Sequence, residues 1–164
     1  MSLYLICKEL EFEVYLSDGV LHFINQYRQK YGTLIPESCG IIIGEIRNKS
    51  LRVLNISPPD IDDIRTRYTF LRKSGMHQRY LNNWHTKSNG VLRYIGEWHT
   101  HPESNPKPSS KDFQGWSDLM TNNDFNAHPK LLWIASNSSY INDWFNLIVN
   151  KKYYNLEVVY EVSP

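Results

Sequence analysis

Apolar and polar positions along this chain switch between two periods, and the switches divide it into strands and helices. From Leu10 to Leu16 they alternate, the period of a strand with one buried face. After Ser17, whose hydroxyl suits a helix start, Val20, Leu21, Phe23, Ile24 and Tyr27 recur at helical spacing. Continuous apolar runs then predict strands at Cys39 to Ile46 and Leu51 to Ile56. Ser57 to Arg67, opened by Pro58 and Pro59, reads as a polar loop. Ser74 to Lys87 predicts a helix with Met76, Tyr80, Leu81 and Trp84 on one face. Val91 to Trp98 is rich in strand formers. The three prolines between Pro102 and Pro108 allow only a loop, and Ser109 then opens a helix reaching Met120. Strands follow at Leu131 to Ala135, Trp144 to Val149 and Leu156 to Val162, with Asn137-Ser138-Ser139 as a turn. No repeat or low-complexity segment interrupts the pattern. The expectation is one α/β domain over residues 1–164, a mixed sheet flanked by helices.

Composition narrows the function classes. At 164 residues and 41% hydrophobic, the chain can bury a substantial core. Its net charge is +1 and no basic run exceeds a couple of residues, so a nucleic-acid surface is not expected. Cys7 and Cys39 are the only cysteines, and no signal or membrane segment stands out, so a cytoplasmic, thiol-containing protein with no membrane partner is expected.

The chemistry concentrates in His99-Thr100-His101-Pro102 and Ser109-x-x-Asp112. Residues i and i+2 share a face on a strand but diverge by roughly 200° on a helix, so the two imidazoles belong at a strand end. Asp112, in the first turn of the following helix, completes a set of three ligands for one metal. Ser109-x-x-Asp112 is also a helix-capping pattern, and by itself would say only that. Upstream, Glu37 precedes the run Cys39-Gly40-Ile41-Ile42-Ile43-Gly44, where a carboxylate has no evident structural purpose. Cys39 lies two residues from Glu37; the position admits a nucleophilic or ligating thiol, but a small apolar residue starting a buried strand is the preferred reading. His22, His77, His85 and His128 lack partner spacing and read as ordinary surface or packing residues.

Together these residues resemble the JAB/MPN/Mov34 metalloprotease family: a Glu ahead of a glycine-bracketed apolar strand, then His-Ser/Thr-His-Pro, then Ser-x-x-Asp with seven residues, Pro102 to Pro108, between His101 and Ser109. The stretch Tyr94 to Glu103, with Pro106, Pro108, Ser109, Asp112 and Trp116, is similar to small bacterial members encoded in CBASS anti-phage operons and on integrative elements. The resemblance implies a cytidine-deaminase-like fold and a zinc isopeptidase. Its substrate would be a CD-NTase attached to targets by an E1/E2-like operon partner. A deconjugase of another ubiquitin-like or sulfur-carrier protein, and a catalytically silent scaffold, are the alternatives.

The implied chemistry is coherent. Zinc on His99, His101 and Asp112 keeps a fourth position for water, whose pKa falls toward ~7. Glu37 would serve as base and then acid, and the Ser109 hydroxyl would donate to the oxyanion. The loops Ser57 to Arg67 and Pro102 to Pro108 would flank an extended substrate tail.

Overall fold

Alternation along the strands assigns each helix to one side of a nine-stranded sheet. The computed structural model describes residues 1–162. In chain order these form β1 (Ser2–Cys7), β2 (Phe12–Leu16), α1 (Asp18–Asn25), β3 (Cys39–Arg47), β4 (Ser50–Ile56), β5 (Ile64–Arg65) and β6 (Phe70–Leu71). Then come α2 (Ser74–Lys87), β7 (Arg93–Thr100), α3 (Ser110–Leu119), α4 (Asn123–Asn126), β8 (Lys130–Ala135), β9 (Trp144–Val149), β10 (Lys152–Asn155) and β11 (Glu157–Val162). The sheet order is β10-β9-β8-β7-β3-β4-β2-β1-β11, with β2–β4 and β7–β8 parallel and the other pairs antiparallel. The fold is the expected mixed sheet with flanking helices.

One face packs Ile42, Val53, Leu131 and Trp133 against Val20, Leu21 and Ile24 of α1. The opposite face packs Ile41 and Ile43 against Tyr80, Leu81 and Trp84 of α2, and Leu132 and Ile134 against Trp116 of α3 and Phe125 of α4. Neighbouring residues of one strand thus enter different cores, which is why Ile41 to Ile43 of β3 and Leu131 to Ala135 of β8 are continuous apolar runs rather than alternating.

Gly40 and Gly96 are among the glycines that permit the close approach of neighbours. A Cβ at Gly40 would meet the Ser57 carbonyl at 2.3 Å and the Trp98 indole nitrogen at 2.6 Å. At Gly96 it would meet the Leu131 carbonyl at 1.9 Å.

Several boundaries differ from the sequence reading. The strand expected from Leu10 begins at Phe12, because Lys8 to Glu11 form the turn from β1, with Glu11 at φ 49°. Tyr and Lys side chains dominate β10, which paired with β9 only in the structure. The polar loop after Ser57 contains β5, which forms a two-stranded ladder with β6. No helix among the described residues is long and apolar enough to cross a membrane.

The segment between α1 and β3 lacks regular structure and is fixed by one buried ion pair. Arg28 donates to both carboxylate oxygens of Asp143, at 2.7 and 2.9 Å, and to the Ser136 carbonyl. Asp143 also accepts from the Trp133 indole and the Ser136 amide, each at 2.8 Å. Both charges are almost wholly buried, so removing one strands the other. Asp143→Ala should therefore destabilise the fold by about 3–5 kcal/mol in denaturant melts. The Arg28→Ala/Asp143→Ala pair should lose far less than the sum of the single changes.

Candidate metal centre

The end of β7 presents His99 and His101 on the sheet face that carries α3, as their spacing requires. The strand hydrogen-bonding continues past Thr100, since the His101 amide donates to the Ala135 carbonyl at 3.0 Å. The two Nε2 atoms lie 3.1 Å apart. Across from them, Asp112 Oδ1 is 3.2 Å from His99 Nε2 and Oδ2 is 3.3 Å from His101 Nε2.

Asp112 is held there by the helix cap. The Asp112 amide donates to Ser109 Oγ at 3.1 Å, and the Ser109 amide donates to Asp112 Oδ2 at 2.7 Å. Ser109-x-x-Asp112 is thus a reciprocal capping box. The cap and the chemical reading coincide, because capping orients the carboxylate toward the imidazoles. The Ser109 hydroxyl proton stays available to a ligand while its oxygen accepts from the helix.

Glu37 arrives from the other side through strand register. Cys39 pairs with His99 in the antiparallel β3–β7 ladder, so two residues back along β3 lies opposite two residues forward along β7. Glu37 Oε1 is accordingly 3.3 Å from His101 Nε2. Thr100, whose side chain points to the opposite face, fixes this extension. Its hydroxyl accepts from the Ser38 amide at 2.9 Å and donates to Gln29 Oε1 at 3.0 Å. Gln29 in turn donates to the Ile35 and Arg67 carbonyls, and the Glu37 amide donates to the Thr66 carbonyl at 2.7 Å.

Burial and charge set the protonation of each group. Burial keeps the His99 imidazole below its ordinary value, with Asp112 only partly offsetting it. For His101, burial is outweighed by Asp112, Glu37 and Glu103, which raise its pKa. Burial likewise opposes ionisation of Asp112, but hydrogen bonds from His101 and His99 hold it well below the usual carboxylate range. Glu37 is pushed up to about 7, first by burial, with Asp112 and Glu103 adding and His101 opposing. A carboxylate that exchanges a proton near neutrality suits acid–base work.

The donor set fits zinc. One ligand atom from each of His99, His101 and Asp112 lies within 4.8 Å of the others. Two imidazoles and one carboxylate leave a coordination position for water, the pattern of a catalytic site. Glu103, 3.5 Å from His101 Nδ1, can orient that ring from behind. Cys39 is not in this set: its thiol lies 4.0 Å from Asp63, and burial pushes its pKa up. The centre opens into a groove of about 590 Å³ lined by Glu37, His99, Asp112, Trp116, Phe70 and Leu71. The Phe70 and Trp116 rings both neighbour the His99 ring, at 5.0 and 6.2 Å between centroids.

The structure brings all five expected residues together, Glu37, His99, Ser109 and Asp112 lining the groove and His101 beside them. It also adds residues without a sequence signal. Gln29 is a lone polar residue after α1, and only tertiary contact reveals it. His77 is more than an ordinary packing residue: it is buried, with both ring nitrogens engaged by Ser57 and Asp63.

Because Thr100 serves two buried partners, Thr100→Val keeps its shape but leaves the Ser38 amide and Gln29 Oε1 unpaired. The variant should lose about 1–3 kcal/mol of stability in chemical denaturation. Thr100→Ser should retain most of it.

Residues 21–147 match the family described as prokaryotic homologs of the JAB domain. A CD-NTase/cGAS isopeptidase of Escherichia coli is 39% identical over 103 residues, 63% of this chain and 65% of the relative. One of Vibrio cholerae serotype O1 is 46% identical over 90 residues, 55% of this chain and 57% of the relative. The chain therefore spans less than two thirds of the length of these curated relatives. The solution structure of a Desulfitobacterium hafniense protein, 17% identical, shares the fold over 88% of both chains with a TM-score of 0.56. With its family match covering most of the sequence and the family's Glu, His-x-His and Ser-x-x-Asp residues gathered in one groove, the chain belongs to the prokaryotic JAB-domain family.

Proposed function

We propose that this chain is a zinc-dependent isopeptidase that hydrolyses the bond following the C-terminal residue of a conjugated protein. The observation that carries this reading is the convergence of His99, His101 and Asp112, with Glu37 Oε1 3.3 Å from His101 Nε2 in an open groove. His99, His101 and Asp112 would hold the zinc, which when bound supplies Lewis acidity toward water and the scissile carbonyl. Glu37 takes a proton from the attacking water at its carboxylate and returns it to the departing amine nitrogen. Its raised pKa of about 7 suits both transfers. The Ser109 hydroxyl donates to the oxygen on which charge develops. Phe70 and Trp116 wall the approach and favour a slender, extended tail over a folded surface.

The substrate in this reading is a CD-NTase joined to its targets by an E1/E2-like conjugation partner. Support comes from the two relatives described as CD-NTase/cGAS isopeptidases.

Purified protein should carry one zinc per chain by elemental analysis, and His99→Ala or Asp112→Ala should lose it. Glu37→Gln should keep fold and zinc while cleavage disappears; metal loss in this variant would assign Glu37 to the ligand set instead. Ser109→Ala should lower kcat by about 10²–10³ if oxyanion donation is its main contribution.

Substrate choice is tested with a linear fusion of a CD-NTase C-terminus to a reporter, beside a ubiquitin fusion. Cutting of the CD-NTase fusion is expected. Cutting of ubiquitin alone would overturn the substrate, and cutting of neither with zinc bound would point to a silent scaffold.

A further inference from the structure

Outside the metal centre, Ser57, His77 and Asp63 form a second buried constellation. Ser57 Oγ is 2.7 Å from His77 Nδ1, and His77 Nε2 is 3.0 Å from Asp63 Oδ2. The order imitates a hydrolytic triad, but Ser57 is wholly buried and its Oγ already accepts from the Ile41 amide at 2.9 Å. No substrate carbonyl can reach it.

The hydrogen bonds instead run from the sheet to one wall of the groove. A carboxylate at Asp63 can only accept, so His77 Nε2 carries the proton and Nδ1 accepts from the Ser57 hydroxyl. Ser57 is itself locked between strands, since its carbonyl accepts from the Trp98 indole and its amide donates to Ile41. Asp63 then closes the loop: it accepts from the Asp60 amide and the Lys73 amide, each at 2.8 Å. One buried carboxylate thus ties both ends of segment 60–73. Between those ends lie Thr66, whose carbonyl receives the Glu37 amide, and Phe70, beside His99. Arg72 pairs with Glu97 on β7.

The wall so held carries Ile64, Tyr68 and Leu71, apolar side chains that are half or more exposed along the groove. We propose that Ser57, His77 and Asp63 are positioning residues that hold segment 60–73 at a fixed height beside the metal centre and so determine how tightly the extended substrate tail is bound. This rests on the peptidase reading above. The relay acts on binding, because none of its three side chains is placed to touch the reacting atoms.

The test compares Asp63→Asn, His77→Ala and His77→Gln with wild type, using Asp62→Asn, an exposed charge in the same loop, as control. Each is measured by hydrogen exchange of segment 60–73, by zinc content, and by kcat and KM on the CD-NTase fusion. An amide at position 63 offers one acceptor where two backbone amides and an imidazole donate. Asp63→Asn and His77→Ala should therefore speed exchange in 60–73 and raise KM, each by about tenfold, with zinc unchanged and kcat altered less than about threefold. His77→Gln, which can still donate to Asp63, should restore much of the difference, and Asp62→Asn should match wild type.

Wild-type exchange and KM in both Asp63→Asn and His77→Ala would overturn the proposal, as would a loss confined to kcat. Should those variants not fold, Ser57→Ala removes the sheet-side link, that is the hydroxyl's bonds to His77 and to the Ile41 amide, and the same readings decide. If wild type fails to cut the fusion, the substrate reading falls, while the exchange measurement still decides whether the relay holds the wall.

Discussion

Cys39 pairs with His99 across the β3–β7 ladder, and the rest of the centre depends on that register. A slip of one residue would turn every side chain of β3 to the other face. Glu37 would leave His101, and Ile42 would leave the α1 core. Thr100 locks the register beyond the last ladder bond by serving Ser38 and Gln29 together. Gly40 permits it by letting Ser57 and Trp98 pass close to the strand. Glu37 and the two imidazoles are therefore positioned by the same backbone pairing that builds the sheet.

The two faces of the sheet divide the tasks. The α1 face holds the larger apolar core and the buried Arg28–Asp143 pair. The face toward α2 and α3 holds His99, Trp116, Glu97 and the hairpin of β5 and β6. His-Thr-His couples them in three residues: the imidazoles look to the groove and the threonine looks to the scaffold. Two buried carboxylates on the groove side are paired, Glu97 with Arg72 and Asp63 with His77. Such groups are held by structure that the metal centre does not supply.

Much of this was legible in the sequence where chemistry and periodicity agree. His99, His101 and Asp112 follow from the facing rule of strands and the capping rule of helices, and Ser17 capped α1 as read, its oxygen accepting from Val20. Strand ends were less visible. Leu10 continues the alternation of β2, yet the turn geometry at Glu11 removes it from the strand. Ser2–Cys7 was not among the expected strands although it alternates, with Leu3, Leu5 and Cys7 buried. Lys152–Asn155 could not be, because an edge strand with polar side chains shows no buried face. Gln29, Asp63 and His77 were hidden for a different reason. Gln29 meets Arg67 and Thr100, His77 meets Ser57, and Asp63 is bound by Asp60, Lys73 and His77 at spacings that match no regular element, so no local pattern marks them.

The metal centre itself can be read directly by zinc K-edge X-ray absorption on the purified protein and on Glu37→Gln. Two imidazole nitrogens and oxygen neighbours at about 2.0–2.1 Å, with the same spectrum in both proteins, are expected if His99, His101 and Asp112 bind the ion and Glu37 stands beside it. A sulfur neighbour at about 2.3 Å would instead draw Cys39 into the site. That result, or protein that takes up no zinc, would contradict the arrangement described above.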